Sequence, residues 1–179
     1  MVSACAEGRT GTAAIAQPQT GSSGSSGRVP PSRAVAGGFD DEWQRRTSRV
    51  PAAERGQISI ADDTTPHAHE LATASRLAAY GYQVHFRPID RSLNAKNPDA
   101  EVDGLVWEMK SPRGASEKNT ISEQFKSAKR QSENLIIDLA RIGLPNDVAV
   151  EQIKRRFYGQ SKYRRVMILD IAGNLIHLP

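Results

Sequence analysis

The chain has 179 residues, a net charge of +4 and 38% hydrophobic residues, enough for one ordinary domain with a tail and too little for two large ones. Its single cysteine, Cys5, excludes an internal disulfide framework and a cysteine-based zinc site. No stretch approaches the roughly 18 apolar residues of a membrane span, and no apolar segment follows a basic start as in a secretory signal.

The charge is unevenly placed. Residues 1–66 hold seven basic and seven acidic side chains, whereas residues 67–179 hold seventeen and thirteen. A basic folded part fits an anionic partner such as nucleic acid, although a basic soluble surface alone gives the same count. Residues 1–62 are expected to be a linker or disordered tail. Within them, 1–38 are rich in Gly, Ser, Ala, Thr, Pro and Gln and cannot bury enough surface to order. Residues 39–62 are intermediate, with Phe39 and Trp43 available to dock and Gln57–Ile60 compatible with a short strand.

The domain is expected over residues 63–179. Thr65-Pro66 reads as an N-cap with proline at the first helical position. Leu71, Ala74, Leu77 and Ala78 then recur at helical spacing until Gly81. A strand is expected from Tyr82 to Arg87, then a polar loop to Pro98. Asp103-Gly104 is a two-residue hairpin turn, joining a short strand, Asp99–Val102, to a longer one, Leu105–Lys110. Thr120 to Glu123 has a capping-box pattern. From there Ile121, Phe125, Ala128, Leu135, Leu139 and Ile142 form one stripe of a long helix, stopped by Gly143 and Pro145. A second helix is expected from Asp147 to Tyr158. A strand over Arg165–Ile171 follows, and after a turn at Ala172–Asn174 a last strand ends near Leu178. The order, helix, three strands, two helices, two strands, defines an α/β sandwich with a mixed sheet.

The hairpin brings carboxylates together. A two-residue turn pairs Val102 with Leu105, Glu101 with Val106, Ala100 with Trp107 and Asp99 with Glu108. Directly opposed residues lie about 5 Å apart and share a face. Alternation adds Lys110 to that face and sends Leu105, Trp107 and Met109 into the core. Two carboxylates this close repel by about 3 kcal/mol at an effective dielectric of about 20. They persist with a shared proton, a cation or a metal. Oxygen donors suit a hard cation, Mg²⁺ first, with Mn²⁺ or Zn²⁺ as alternatives. Lys110 could orient water and stabilise charge on a phosphate. Glu70, in the first helical turn, is a third candidate carboxylate. A bare Glu-x-Lys on a strand is more often a solvated face, and a register slip would make Asp103 the ligand instead of Asp99.

Pro98-Asp99, Glu108-Met109-Lys110 and Glu70 on the preceding helix resemble the PD-(D/E)XK nuclease superfamily, whose restriction-endonuclease-like α-β-β-β-α-β core matches the expected order. Over about residues 66–178, the chain most resembles the C-terminal tRNA nuclease toxins of contact-dependent growth inhibition (CdiA-type) systems. The resemblance implies that Asp99, Glu108 and Glu70 hold a divalent metal and that Lys110 is the catalytic lysine. It implies hydrolysis of phosphodiester bonds in tRNA and neutralisation by a cognate immunity protein. Such toxins are tips of large exported proteins and act in the bacterial cytoplasm; this chain has only a short leader and no delivery domain. The alternatives are a DNA endonuclease of the same fold and a non-catalytic nucleic-acid-binding module.

Other candidates surround this set. His67 and His69 could contact phosphate or act as acid and base in a 2′-hydroxyl attack, or simply belong to a helix cap. Ser111 and Arg113 follow the lysine. Residues 151–165 carry six basic side chains and one acidic, with Phe157, Tyr158 and Tyr163 interleaved. Lys154, Arg155, Arg156 and Lys162 are candidate phosphate contacts, and a tyrosine is a candidate base platform, against the reading of a solvated helix end. Gln124 and Gln131 lie a heptad apart. His85 is expected on the site face and His177 in a structural role.

Overall fold

A computed structural model describes residues 45–160 and 162–179. Expectations for the leader, including Phe39, Trp43 and Cys5, lie outside the described residues. Among those described, seven strands form one mixed sheet: β1 (Ile58–Ile60), β2 (Val84–Phe86), β3 (Ala100–Val102), β4 (Leu105–Lys110), β5 (Asn134–Asp138), β6 (Arg165–Leu169) and β7 (Leu175–Leu178), in that spatial order. The pairs β1–β2, β4–β5 and β5–β6 are parallel, and the other three are antiparallel. Helices α1 (Ala68–Ala78), α2 (Thr120–Ala128) and α3 (Asn146–Gln160) connect the strands.

The sheet buries both faces. Trp107 and Met109 of β4 pack with Ala74 and Leu77 of α1 and with Ile136 and Met167. On the opposite face Leu135, Ile137, Val166 and Ile168 pack with Ile121 of α2 and Ile153 of α3. The alternation on β4 thus sends Trp107 and Met109 toward α1, and Glu108 toward the α2–α3 side beside its partner Leu135. No described helix is long and apolar enough to cross a membrane.

The hairpin register is the expected one: Val102 pairs with Leu105, Glu101 with Val106 and Ala100 with Trp107. Asp103 (φ 45°) and Gly104 (φ 81°) both take left-handed backbone, which a two-residue turn demands. A Cβ at Gly104 would meet nothing within 4 Å. Gly104→Ala therefore pays only for backbone strain, about 1–2 kcal/mol. A thermal melt should fall by a few degrees, and Gly104→Asn should restore most of it.

Three expectations need correction. The long helix from Thr120 to Ile142 is instead α2, ending at Ala128, then β5, then a short 3-10 turn, Leu139–Arg141. Leu135-Ile136-Ile137 is fully buried between two parallel neighbours. Such a strand is apolar on both faces, so its sequence carries no alternation to set it apart from a buried helix. Gln131 accordingly lies beyond the helix, where its Oε1 accepts the Asn97 N–H at 3.0 Å. Second, α1 starts at Ala68, with His67 as its N-cap. The Glu70 carboxylate accepts the His67 N–H at 2.7 Å, closing the helix start two residues beyond Thr65.

Third, order begins ahead of residue 63. The segment expected as linker holds a 3-10 turn, Ala52–Glu54, and strand β1, the strand anticipated at Gln57–Ile60. It is tied down at several points. Arg46 pairs with Asp103 at 2.9 Å and lies over the Tyr82 ring, and Val50 N–H donates to Ala79 O at 2.9 Å. Strand β1 is part of the sheet, so a fragment starting near residue 60 would lack it.

Candidate active site

Extending the β3–β4 register by one step sets Asp99 beside Glu108. A cross-hairpin bond fixes Asp99 there, its Oδ2 accepting the Met109 N–H at 2.6 Å. Two residues beyond Glu108 on the same face, Lys110 Nζ donates to Glu108 Oε1 at 2.5 Å. Asp99, Glu108 and Lys110 are therefore brought together. Asp103, the rival to Asp99, is engaged at the turn, accepting the Gln83 N–H at 2.8 Å and pairing with Arg46.

Glu108 is only 3% exposed, and its Oε2 has no hydrogen-bond partner among the described residues. Burial pushes the Glu108 carboxyl up to about 7. Lys110 opposes the shift, while Asp99 and Glu70 add to it. Burial also raises Asp99, against the Met109 N–H and Lys110. An unpartnered buried carboxylate oxygen beside a second carboxylate is an arrangement that a cation completes.

Glu70 lies close enough for its charge to act on both Asp99 and Glu108. Its carboxylate, however, is turned back on its own helix to cap His67. Consistent with this, no group of three or more His, Cys, Asp or Glu among the described residues stands ready to hold a metal ion. Asp99 and Glu108 fit Mg²⁺, which commonly takes one or two carboxylates and completes its shell with water. Glu70 would join them by leaving the cap.

His67 lies within electrostatic reach of Asp99, and His69 within reach of Glu70 and Arg141. The His67 and His69 rings stack with centroids 5.5 Å apart. His69 is lowered by burial first and then by the Arg141 charge, with smaller contributions from His67 and Arg113 and opposition from Glu70. Ser111 is held by Arg141, whose Nε donates to Ser111 Oγ at 2.9 Å and whose Nη2 donates to the Ser111 carbonyl at 2.6 Å. Arg141 is not among the sequence candidates; it falls within the span of the expected long helix, off its apolar stripe. The signal that could have found it was the Ile-Ile-Asp stop of a buried strand. Arg141 thus holds the chain just after Lys110. On a nuclease reading of the site, Arg141→Ala should reduce turnover about 10–100-fold, as expected on losing one charge-assisted contact. Arg141→Lys, which lacks the planar fork, should recover only part of this. Steady-state kinetics checks both.

The remaining candidates separate. Arg155, Arg156 and Lys162 share a groove between α2 and α3, whereas Lys154 lines a different recess with Asp147, Glu151 and Ile176. The Tyr163 ring packs edge-on against Phe125, and its hydroxyl donates to the Phe125 carbonyl at 2.7 Å, a core role in place of a base platform. Gln124 bonds to Thr120 of its own helix. His85 shares the face of Glu101 and bonds to Ser59. His177 bonds to Arg46 O and Tyr82, the structural role expected for it.

Fold and site together define a class: a mixed α/β chain whose β-hairpin presents two carboxylates and a lysine on one face, the central Glu108 buried. Residues 96–175 match the family model of the contact-dependent growth inhibition CdiA C-terminal domain. That span holds Asp99, Glu108, Lys110 and Arg141 and omits Glu70 and His69. A chain of a solved CdiA-CT/CdiI toxin and immunity complex from Burkholderia pseudomallei shares the fold, with a TM-score of 0.52 and 24% sequence identity over 67% of this chain and 98% of that one. No curated protein matches the chain in sequence.

Proposed function

We propose that this chain is a toxin domain with a metal-dependent endonuclease site of the PD-(D/E)XK kind, hydrolysing phosphodiester bonds in tRNA. The observation that carries this reading is the buried Glu108 carboxylate, with Oε2 unpartnered, set beside Asp99 and Lys110. The match of residues 96–175 to the CdiA C-terminal model supports the toxin role. The fold shared with a chain of a toxin and immunity complex motivates a cognate immunity protein as partner. On this reading the domain is delivered as part of a secreted protein and acts in the bacterial cytoplasm, where tRNA is found.

A divalent cation bound by Asp99 and Glu108 would supply Lewis acidity and a water nucleophile at neutral pH. The chain's own residues do the rest. Asp99 is held by the Met109 N–H through Oδ2, which leaves its second oxygen for the cation. Lys110 engages Glu108 Oε1, leaving Oε2 for the cation, and its ammonium would stabilise charge developing on a phosphate under attack. Arg141 and His69, which lie within electrostatic reach of each other, are suited to hold the phosphate before attack.

Incubating the full chain with total tRNA and with plasmid DNA, in Mg²⁺ or in EDTA, tests the reading. The expected result is tRNA cut in Mg²⁺ only and plasmid spared. Plasmid cut with tRNA intact moves the activity to DNA. Neither cut, by a folded protein, leaves a nucleic-acid-binding module.

A further inference from the structure

Between α2 and α3 lies an open groove of about 840 Å³. Six cations line it: Lys118, Lys126 and Lys129 from the α2 side, and Arg155, Arg156 and Lys162 from the α3 side. Glu117 is the one acidic side chain in its wall. All six cations are exposed, and among the described residues only Lys126 forms an ion pair, with Glu123 of its own helix at 2.8 Å. Like charges gathered this closely repel, which a partner of opposite charge relieves.

The groove adjoins a second recess that reaches strand β4. Lys129, Lys162 and Tyr163 also line this recess of about 440 Å³, which reaches Val106 and Asn134. Val106 lies two residues before Glu108 on β4, hence on the same face of the sheet. The groove and the recess thus share Lys129, Lys162 and Tyr163, and the recess extends toward the part of β4 that carries Glu108. We propose that this groove is an exosite for the phosphodiester backbone of a nucleic acid, holding the strand that leads away from the cleaved bond. It rests on the nuclease reading for which strand is held, but binding can be measured without cleavage. The regular spacing of phosphates suits cations offered from two helices.

The test uses the full chain carrying Glu108→Gln, so that nothing is cut. Fluorescence anisotropy follows labelled tRNA, a labelled DNA duplex of similar length and labelled poly-glutamate over a salt series. The triple variant Lys126→Gln, Arg155→Gln, Arg156→Gln should lower the salt slope for nucleic acid by about 2–3 and weaken binding at least about tenfold near 0.1 M salt. Lys154→Gln, on the same helix but in another recess, should leave both unchanged. The tRNA and duplex arms show which nucleic acid the groove prefers. An unchanged slope and affinity for nucleic acid in the triple variant, with an unaltered circular dichroism spectrum, overturns the proposal. So does loss of poly-glutamate binding alone, which assigns the groove to an acidic protein surface. If the triple variant loses nucleic-acid binding while the chain with Glu108 intact cuts nothing, the nuclease reading falls and the exosite stands.

Discussion

Glu108→Gln should lower phosphodiester cleavage about 10³-fold while leaving the fold intact. The amide keeps the shape of the side chain but removes the negative oxygen a cation needs. Several kcal/mol of transition-state stabilisation then goes, each 1.36 kcal/mol being tenfold in rate. The same substitution has a signature in stability. In metal-free protein the Glu108 carboxyl sits at about 7 against an ordinary 4.5. Between these values the folded state keeps a proton that the unfolded state has released. Its stabilising contribution is thus complete below about pH 4.5 and is lost as pH rises through about 7, on the order of 3 kcal/mol in all. Denaturant melts from pH 5 to 8 should show this decline in the wild type and a flatter profile in Glu108→Gln. A cation that binds the ionised carboxylates should restore wild-type stability at pH 8. Parallel profiles for the two proteins would remove Glu108 as the source.

Asp138→Ala should be the most destabilising single change near the site, by about 3–5 kcal/mol. Asp138 ends β5 and is 1% exposed. Its carboxylate accepts the Thr73 hydroxyl at 2.9 Å and the Ala140 N–H at 2.9 Å, and it pairs with Arg76. It therefore joins α1 to the turn that carries Arg141. Removing it leaves the Arg76 guanidinium half-buried beside Thr73 without its counter-charge. For a domain of this size the melting temperature should fall on the order of 10 °C. Asp138→Asn keeps an acceptor for the Ala140 N–H and turns a donor toward the Thr73 hydroxyl oxygen, and should cost less. A melt of Asp138→Ala within about 2 °C of the wild type would show that the network is not what anchors α1.

What the sequence made legible was local. The Asp103-Gly104 turn needs left-handed backbone at both positions, and that alone determined the pairing from Val102–Leu105 outward, and with it the meeting of Asp99, Glu108 and Lys110. Strand β5 was hidden because Leu135, Leu139 and Ile142 continue the spacing of Ile121, Phe125 and Ala128, and a strand buried on both faces has no alternation of its own. Losing β5 also hid Asp138 and Arg141, whose partners Thr73, Arg76 and Ser111 lie 30 or more residues away. Residues 45–62 read as linker because few of them are apolar. They are held instead by polar contacts to distant residues, such as Arg46 to Asp103 and Arg49 to Ala172 and Gly173. Glu70 was legible as a first-turn carboxylate, but its present use as a cap for His67 was not, since the helix start was set two residues early.

The measurement that bears most directly on the central claim is calorimetric titration of the full chain with Mn²⁺ at pH 7.5, beside Glu108→Gln and Asp99→Asn. The carboxylate pair predicts a saturable site in the wild type that weakens at least about tenfold in either variant. Equal binding in all three proteins, or none in the wild type, would contradict a metal site built on Asp99 and Glu108.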